Sequence, residues 1–303
     1  MRAARFASFG GPEVLSIDDI PIPEPGRGEV RVRVKAAAIQ PFDRRVRIGQ
    51  IPLPPGTALP VTTGNEFSGI IDALGADVTG FSPGDAVAGR RAFGAVAEYV
   101  IVPAVDIARK PETLSFAEAA TLSGTAQTAD TAIESLGIGP GDTLLIHGAA
   151  GGVGSFATQI AVQRGAKVIG TGSQANQAYI ASLGAGPLVY GEGLRERVVA
   201  AAPHGLTAVL DCVGGPTLDL SLTLGVPLDR IATLGDMGRT RQLGIRSVEG
   251  VRDGIRLARL LDLAAKGQLK ANVRRIYPMN EIIEAHRELD AGHGHGKIVI
   301  EVA

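Results

Sequence analysis

The first third of the chain consists of short segments in which apolar and polar residues alternate. The clearest lies at 28–39, where Val30, Val32 and Val34 alternate with charged residues. This two-residue period is typical of a half-buried strand. Similar segments, separated by turns rich in glycine and proline, occur at 1–9, 13–19, 67–74, 85–89 and 95–102. Many short strands with such turns predict a small β-barrel.

From residue 115 the period becomes helical, and strand-like and helical segments alternate as far as residue 265. Six strands with helices between them predict an α/β fold with a doubly wound parallel sheet. The tail, from residue 273, returns to a strand, a helix and a strand. We therefore predict a discontinuous first domain, 1–117 and 268–303, and a second domain, 118–267. The strands of the second domain are predicted at 143–147, 167–171, 187–190, 208–213, 230–234 and, more weakly, 243–247.

Composition and charge restrict the class of protein. The 303 residues are 45% hydrophobic and 20% charged, as in soluble globular proteins, and suffice for two domains. The net charge of −1, the absence of tryptophan and the lack of a long apolar run predict no nucleic-acid or membrane partner. The N-terminal residues lack the apolar core of a secretory signal, so we expect a cytoplasmic protein. The single cysteine, Cys212, excludes an internal disulfide and is expected to be a buried packing residue rather than a nucleophile.

A glycine-rich turn joins a strand to a helix near the middle of the chain. Ala150, Gly151, Gly152, Val153 and Gly154 form this turn, and a second strand follows the helix. A dinucleotide pyrophosphate binds to backbone N–H groups at such a helix N-terminus, where the helix dipole favours negative charge. A side chain at Gly151 or Gly152 would displace the phosphate, and Gly154 allows close packing of helix on strand. The turn predicts a dinucleotide site; a tight turn without a ligand is the alternative.

Several motifs together carry a resemblance to a known family over essentially the whole chain. They are GPEVL at 11–15, GDAV at 84–87, HGAAGGVG at 147–154, LDCVGG at 210–215, ATLG at 232–235 and HGKIVIEV at 295–302. With these motifs the chain resembles the zinc-free medium-chain dehydrogenases/reductases, in the zeta-crystallin-like NADPH:quinone oxidoreductase branch. The resemblance implies a GroES-like β-barrel catalytic domain, a Rossmann domain with a six-stranded sheet, and a homodimer. It also implies that nicotinamide and substrate bind in a cleft between the domains.

The residues at the zinc-ligand positions of the family predict a protein without zinc. Zinc-dependent relatives carry Cys where this chain has Gln40 and His where it has Asn65. Carboxamides do not replace thiolate and imidazole as ligands of this metal. His293 and His295 lie between glycines without acidic neighbours, and we expect them to be tail-turn residues with no role in metal binding.

The choice of cofactor depends on the end of the second Rossmann strand. An NAD-preferring relative has a carboxylate there, whereas this chain has Ser173, which can donate to a 2′-phosphate. Tyr190 matches a tyrosine that helps in the family, but Gln177 stands where a lysine is expected. We predict that NADPH is preferred over NADH, by a smaller margin than in relatives with the lysine. The alternative is that Ser173 and Tyr190 are ordinary polar residues of a loop and a strand end.

The resemblance places further residues at the cofactor. Lys297 matches the C-terminal motif of the family, although a solvated charge at the start of a strand is an equal alternative. The resemblance also implies cofactor contacts for Thr128, near the nicotinamide-side phosphate, and for two loops that follow strands, Val213-Gly214 and Leu234-Gly235.

Two residues are candidates for catalysis. The family often has Asn where this chain has Gln40, whose amide can donate a hydrogen bond to the oxygen of the acceptor. Asp43 is expected to order the same loop, with Arg44 or Arg45 as its partner. We predict an NADPH-dependent reductase of a small-molecule quinone or conjugated enone. The alternatives are an enoyl- or polyketide-type C=C reductase of the same fold and a non-catalytic, regulatory NADPH-binding protein.

Overall fold

The computed structural model describes residues 1–248, 250–292 and 294–302. Strands and helices alternate in the second half of this part of the chain, and strands dominate the first half. The strands are β1 (Arg2–Phe6), β2 (Leu15–Asp19), β3 (Glu29–Ile39), β4 (Val61–Thr62), β5 (Glu66–Leu74), β6 (Ala86–Arg90), β7 (Tyr99–Pro103), β8 (Ile107–Arg109), β9 (Thr143–His147), β10 (Lys167–Gly172), β11 (Gly186–Val189), β12 (Ala208–Asp211), β13 (Ile231–Thr233), β14 (Val273–Pro278) and β15 (Lys297–Glu301).

The helices lie mostly between the strands of the second half. They are α1 (Pro41–Arg47), α2 (Phe116–Ser123), α3 (Thr125–Ser135), α4 (Gly152–Gln163), α5 (Gln177–Ser182), α6 (Leu194–Ala201), α7 (Pro216–Ser221), α8 (Thr240–Leu243), α9 (Gly254–Ala265) and α10 (Ile282–Ala291). No helix in the described ranges is both long and apolar enough to cross a membrane.

The first of two compact units contains the described residues of Met1–Thr125, Arg252–His293 and Lys297–Ala303. Its main sheet has the strand order β14-β15-β3-β5-β6-β8, with β7 also paired to β3, and a smaller sheet has the order β2-β1-β4. The tail strands β14 and β15 complete the main sheet because β15 pairs antiparallel with β3. In this structure the tail therefore shares a sheet with strands from the first part of the chain.

The central strand β3 shows how the alternating pattern builds this unit. Val30, Val32 and Val34 are fully buried, as predicted, whereas Arg33 between them is exposed. Irregularities in the pairing with β5 fall between Val34 and Ala36, and the strand is buried on both faces from Ala36 onward. The end of β3 therefore carries its backbone into the interior of the unit, where α1 begins.

Two helices assigned by the sequence to the second domain belong to the first unit. Ser115 caps the N-terminus of helix α2, since its hydroxyl accepts from the Glu118 N–H. Ala120 of this helix packs on Ala36, Ala38 and Val299 of the main sheet. Helix α9 approaches β8 so closely that a side chain at Gly254 would lie 2.2 Å from the Ile107 carbonyl oxygen. Because helical periodicity does not say which sheet a helix covers, the predicted limits at 117 and 268 differ from those of the compact units.

The second unit contains Ala126–Val251 and Gly294–Gly296. Its parallel sheet has the strand order β11-β10-β9-β12-β13, which confirms the predicted doubly wound architecture. The predicted sixth strand at 243–247 is wrong for the described residues. Helix α8 ends there in Gly244, and only a single bridge, between Ala232 and Arg246, continues the sheet.

Candidate functional site

A buried polar cluster occupies the region of the first unit where Gln40 and Asn65 were identified from the sequence. We use "the polar cluster" for the set Gln40, Asn65, Glu66, Thr125 and Lys297. Gln40 follows β3, Glu66 begins β5 and Lys297 begins β15. These ends meet because β3 pairs with both other strands, with Ala38 opposite Glu66 and Ile39 opposite Ile298. Thr125 enters as the first residue of α3.

An ion pair lies at the centre of the polar cluster. Lys297 is 5% exposed and Glu66 is fully buried, and Lys297 Nζ lies 2.7 Å from Glu66 Oε2. The ammonium also donates to Thr125 Oγ1 at 2.8 Å and to Gln40 Oε1 at 3.3 Å. Thr125 Oγ1 lies 2.5 Å from Glu66 Oε1, to which it donates. Lys297 is therefore not a solvated charge, since its ammonium has an ion-pair partner and two hydrogen-bond acceptors within the cluster.

The two carboxamides at the positions of the zinc ligands are bonded to each other. Gln40 Nε2 donates to Asn65 Oδ1 at 2.7 Å. Gln40 is half-buried and Asn65 is 9% exposed, so both lie at the edge of the buried cluster. The arrangement offers amide hydrogen-bond donors at this edge, next to a buried ammonium.

Asp43 holds the loop beneath the polar cluster, but its partners differ from those predicted. Its carboxylate oxygens accept from the backbone N–H groups of Gln40, at 2.8 Å, and Gly64, at 3.1 Å. The expected pairing with Arg44 is wrong, because Arg44 forms its ion pair with Asp290. Asp43 occupies the first turn of α1, where a carboxylate can reach back to the preceding N–H group. Burial raises the pKa of this carboxyl to about 7, although the two N–H groups and Lys297 oppose the rise.

The glycine-rich turn of the second unit has the geometry predicted for it. Gly151 precedes α4 in extended conformation, so Gly152, Val153 and Gly154 form the first turn of the helix. Their N–H groups have no carbonyl of a preceding turn to bind. A side chain on Gly154 would lie 2.2 Å from the Gly148 carbonyl oxygen, so helix and strand approach as closely as expected. Ala150 is buried behind the turn.

The loops that follow β12 and β13 meet beside this turn. A side chain at Gly235 would lie 2.2 Å from the Val213 carbonyl carbon, and one at Gly148 would lie 2.9 Å from the Val213 side chain. Buried Asp211 organises the first loop by accepting from the N–H groups of Val213 and Gly214. The structure therefore brings together three of the predicted cofactor loops, Leu234-Gly235 among them. Sequence reasoning missed Asp211, although it stands within the quoted LDCVGG motif.

The residues predicted to select NADPH also lie together, after β10 and β11. Ser173 is half-buried, Tyr190 is largely exposed, and the Tyr190 N–H donates to the Gly172 carbonyl. Gln177 Nε2 donates to the carbonyls of Ser173, Gly172 and Leu188, which ties the two strand ends together. Arg197, which the sequence did not single out, donates to the Val189 carbonyl next to Tyr190. Thr128 is half-buried on α3.

The remaining candidate residues show no metal-binding arrangement in the described ranges, where no group of three or more His, Cys, Asp or Glu residues could hold a metal ion. His295 stacks on Tyr179, with ring centroids 4.1 Å apart, and His293 lies outside the described residues. Buried His147 lies 3.1 Å from Thr171 Oγ1, and burial lowers its pKa. Cys212 is half-buried rather than fully buried; desolvation and the neighbouring Asp211 raise the pKa of its thiol, which keeps it protonated.

The raised pKa of Asp43 predicts a pH dependence of stability. The native state keeps the proton of Asp43 up to about pH 7, whereas the unfolded chain releases it near its ordinary pKa of 3.8. This group therefore lowers the free energy of unfolding as the pH rises from about 4 to about 7. Asp43→Asn removes this contribution. Over that range, the free energy of unfolding of the variant should therefore rise relative to that of the wild type by up to about 1.4 kcal/mol per pH unit.

Urea unfolding of both proteins across this pH range measures the difference. Asp19→Asn is the control, because it makes the same chemical change at an exposed position. A difference between wild type and Asp43→Asn that does not vary with pH would show that Asp43 ionises as in the unfolded chain.

Two family models match separate parts of the chain. The family model of the alcohol dehydrogenase GroES-like domain matches residues 26–112. That of the zinc-binding dehydrogenase matches residues 183–300. The first match covers most strands of the main sheet of the first unit, and the second covers part of the parallel sheet together with the tail.

Three curated relatives align with nearly the whole chain. A quinone oxidoreductase of Pseudomonas aeruginosa is 30% identical over 98% of both chains. The quinone oxidoreductase of Homo sapiens is 29% identical over 99% of this chain and 97% of its own. A 2-methylene-furan-3-one reductase of Solanum lycopersicum is 28% identical over 99% of this chain and 79% of its own.

Solved structures share the complete fold. A quinone oxidoreductase from Coxiella burnetii is 33% identical with a TM-score of 0.90, covering 100% of this chain and 99% of that one. An NAD-dependent alcohol dehydrogenase is 32% identical, with a TM-score of 0.88 and full coverage of both chains. A mycobacterial protein in complex with NADPH is 31% identical, with a TM-score of 0.87 over 99% of this chain and 100% of that one. The chain belongs to the medium-chain dehydrogenase/reductase family, as an NAD(P)H-dependent oxidoreductase related to the quinone oxidoreductases.

Proposed function

We propose that the protein is an NADPH-dependent reductase that transfers a hydride, without zinc, to a quinone or another conjugated enone. The observation that carries the proposal is the bond between Gln40 and Asn65 beside the buried Lys297–Glu66 ion pair. Amide donors next to a buried ammonium suit an oxygen that becomes negative during reduction. A quinone or enone develops negative charge on its carbonyl oxygen when it accepts a hydride, so it is the acceptor class that matches this chemistry.

The polar cluster does not fit the zinc ion that the name of the second family model implies. Gln40 and Asn65 present carboxamides, and the Asn65 oxygen already accepts from Gln40. The Glu66 carboxylate is neutralised by Lys297, so a positive charge already lies in the cluster. Thiolate, imidazole or free carboxylate would be needed to hold zinc. We therefore propose chemistry that relies on hydrogen bonds rather than on a metal.

The second unit supports the binding of a dinucleotide. The free N–H groups of the first turn of α4 can hold a pyrophosphate, and the adjoining loops at Val213-Gly214 and Leu234-Gly235 can line its path. Once bound, the reduced nicotinamide supplies the hydride. In the first unit, Gln40 would donate to the acceptor oxygen and Asp43 would hold the loop. We propose that water supplies the final proton. The roles assigned to Thr128 and, at the cofactor, Lys297 remain predictions.

The preference for NADPH over NADH is also part of the proposal. No carboxylate stands at the end of β10, where it would repel a 2′-phosphate, and Ser173 is available to donate. Tyr190 follows the neighbouring strand β11. Arg197, on α6, donates to the Val189 carbonyl at the end of that strand and adds a positive charge on this side. These features favour a phosphate at this position in spite of the missing lysine.

Within the same fold, reduction of an activated C=C bond is the second candidate. The relative from Solanum lycopersicum, named as a 2-methylene-furan-3-one reductase, favours this candidate. The proposed hydrogen-bond donor also favours it, because such a donor can bind the carbonyl oxygen of a conjugated enone as well as that of a quinone. A small-molecule partner is common to both candidates. The homodimer and the cytoplasmic location rest on the family resemblance and the sequence alone, and they remain proposals.

Turnover with and without a chelator tests the proposed function. We expect the protein to oxidise NADPH faster than NADH in the presence of a small quinone or a conjugated enone. Dialysis against a strong zinc chelator should leave the rate unchanged, because the polar cluster supplies no metal ligands. Absorbance of the reduced nicotinamide measures the rate.

Two outcomes would contradict the proposal. Loss of activity on chelation, restored by added zinc, would show a metal-dependent reaction. Saturable NADPH binding without reduction of any quinone, enone or enoyl acceptor would favour a non-catalytic dinucleotide-binding protein.

Gly152→Val tests the position of the dinucleotide. A valine at the first position of α4 would occupy the place of the phosphate, so saturable NADPH binding should be lost. The melting temperature should change by less than about 4 °C, corresponding to about 1 kcal/mol, since helices tolerate valine there. Gly139→Val is the control, because it lies before β9 and a side chain there meets nothing within 4 Å. Unchanged NADPH affinity in Gly152→Val, measured by fluorescence titration, would refute this placement.

Gln177→Lys tests the position of the 2′-phosphate. A lysine can donate to the same carbonyls as Gln177 and adds a positive charge, so NADPH affinity should rise about tenfold while NADH affinity stays the same. Gln177→Met, which has neither charge nor donor, is the control and should not show the gain. No gain in Gln177→Lys would mean that this position does not face the phosphate.

A further inference from the structure

The Lys297 ammonium fixes the orientation of the Gln40 carboxamide. An ammonium has three N–H donors and no lone pair, so the Gln40 atom 3.3 Å from Nζ must be the accepting oxygen. The amide nitrogen of Gln40 then faces Asn65 and donates to its Oδ1 at 2.7 Å. The orientation of Asn65 follows in turn, because its oxygen faces Gln40 and its Nδ2 nitrogen faces away.

The far end of this chain of hydrogen bonds is open. Among the described residues, no group accepts a hydrogen bond from Asn65 Nδ2. Because it lacks a partner and is not fully buried, this nitrogen reaches the surface of the unit, although Asn65 as a whole is only 9% exposed. An unused, oriented donor at the edge of a buried ionic cluster is a site for an accepting oxygen.

We propose that Asn65 Nδ2 donates a hydrogen bond to the acceptor oxygen of the substrate, and that Lys297 is a positioning residue that orients and polarises this donor through Gln40. The inference rests on the proposed reductase function and adds a second donor to Gln40. When a conjugated carbonyl takes up a hydride, the new C–H bond forms at carbon and the π electrons move to the oxygen. Asn65 stabilises that charge and transfers no proton.

The two residues differ in the size of their expected effects. Loss of a preorganised donor to a developing oxyanion lowers kcat by about a hundredfold or more. Lys297 acts through an intervening amide, and Glu66 partly cancels its field, so its contribution to the donor is smaller. Chains of hydrogen bonds strengthen one another by only about 10–30% per bond. Asn65 should therefore dominate, and Lys297 should change the donor by a few-fold.

The probe for the donor is 4-nitrophenol, whose phenolate absorbs visible light and carries its charge on an oxygen like that of a reduced quinone. We expect the wild-type protein, saturated with NADP⁺, to bind the phenolate in preference to the phenol. Asn65→Leu should bind the phenolate about tenfold more weakly, as expected for one hydrogen bond to a charged group. Asn280→Leu makes the same change at an exposed position of this unit and should bind it as the wild type does.

Lys297 needs a variant that keeps the interior neutral, since removing one charge alone leaves the other buried and unpaired. The double variant Lys297→Met with Glu66→Gln removes both charges. It should weaken phenolate binding by a few-fold. A purely structural role for Lys297 would instead leave phenolate preference unchanged in the folded double variant, and that result would overturn the positioning role.

Turnover separates this inference from the proposed function. Asn65→Leu should lower kcat for a quinone by about a hundredfold and change KM much less, because the bond matters most after charge has developed. If the wild type shows no preference for the phenolate, or if Asn65→Leu retains it, the donor assignment is overturned, even for an active reductase. If the preference is seen and lost in Asn65→Leu but no quinone or enone is reduced, the donor assignment stands and the proposed function fails.

Discussion

The ion pair between Lys297 and Glu66 is the interaction on which the candidate site of the first unit depends. Two nearly buried charges each lose several kcal/mol of hydration, and their attraction offsets this only when geometry and hydrogen bonding are complete. Thr125 and Gln40 supply hydrogen bonds to the pair, since one donates to the carboxylate and the other accepts from the ammonium. Gly124 is required beside them, because a side chain there would lie 2.6 Å from Glu66 Oε1.

The same ion pair determines the chemistry that the site can offer. With an ammonium next to Glu66, the negative charge of the carboxylate is balanced, and the cluster has no vacant carboxylate for a divalent cation. The ammonium orients the carboxamide of Gln40, and Gln40 orients that of Asn65, because each carboxamide can accept on one side and donate on the other. Under the proposed function, these donors take the part that a Lewis acid plays in zinc-dependent relatives.

Local signals in the sequence predicted most elements of the fold, but not the sixth strand of the parallel sheet and not the side-chain cluster. The valine alternation of β3 and the approach of α4 to β9 at Gly154 depend on residues close in sequence, and both were predicted correctly. The partner of Asp43 was not predicted correctly, because it is a backbone N–H group, and the identity of a residue does not show what its backbone binds. Lys297 and Gln40 are 257 residues apart, and only the pairing of β15 with β3 brings them together.

The candidate sites of the two units are built by different means. The proposed dinucleotide site uses backbone N–H groups, and the absence of side chains at Gly148, Gly154 and Gly235 is enforced by contacts of less than 3 Å. Such positions tolerate little change. The site of the first unit uses side-chain amides and charges, whose identity can change while β3, β5 and β15 stay in register. Under the proposed function, the part of the site that meets the acceptor is therefore made of side chains such as Gln40 and Asn65, whereas the part that holds the dinucleotide is made of backbone.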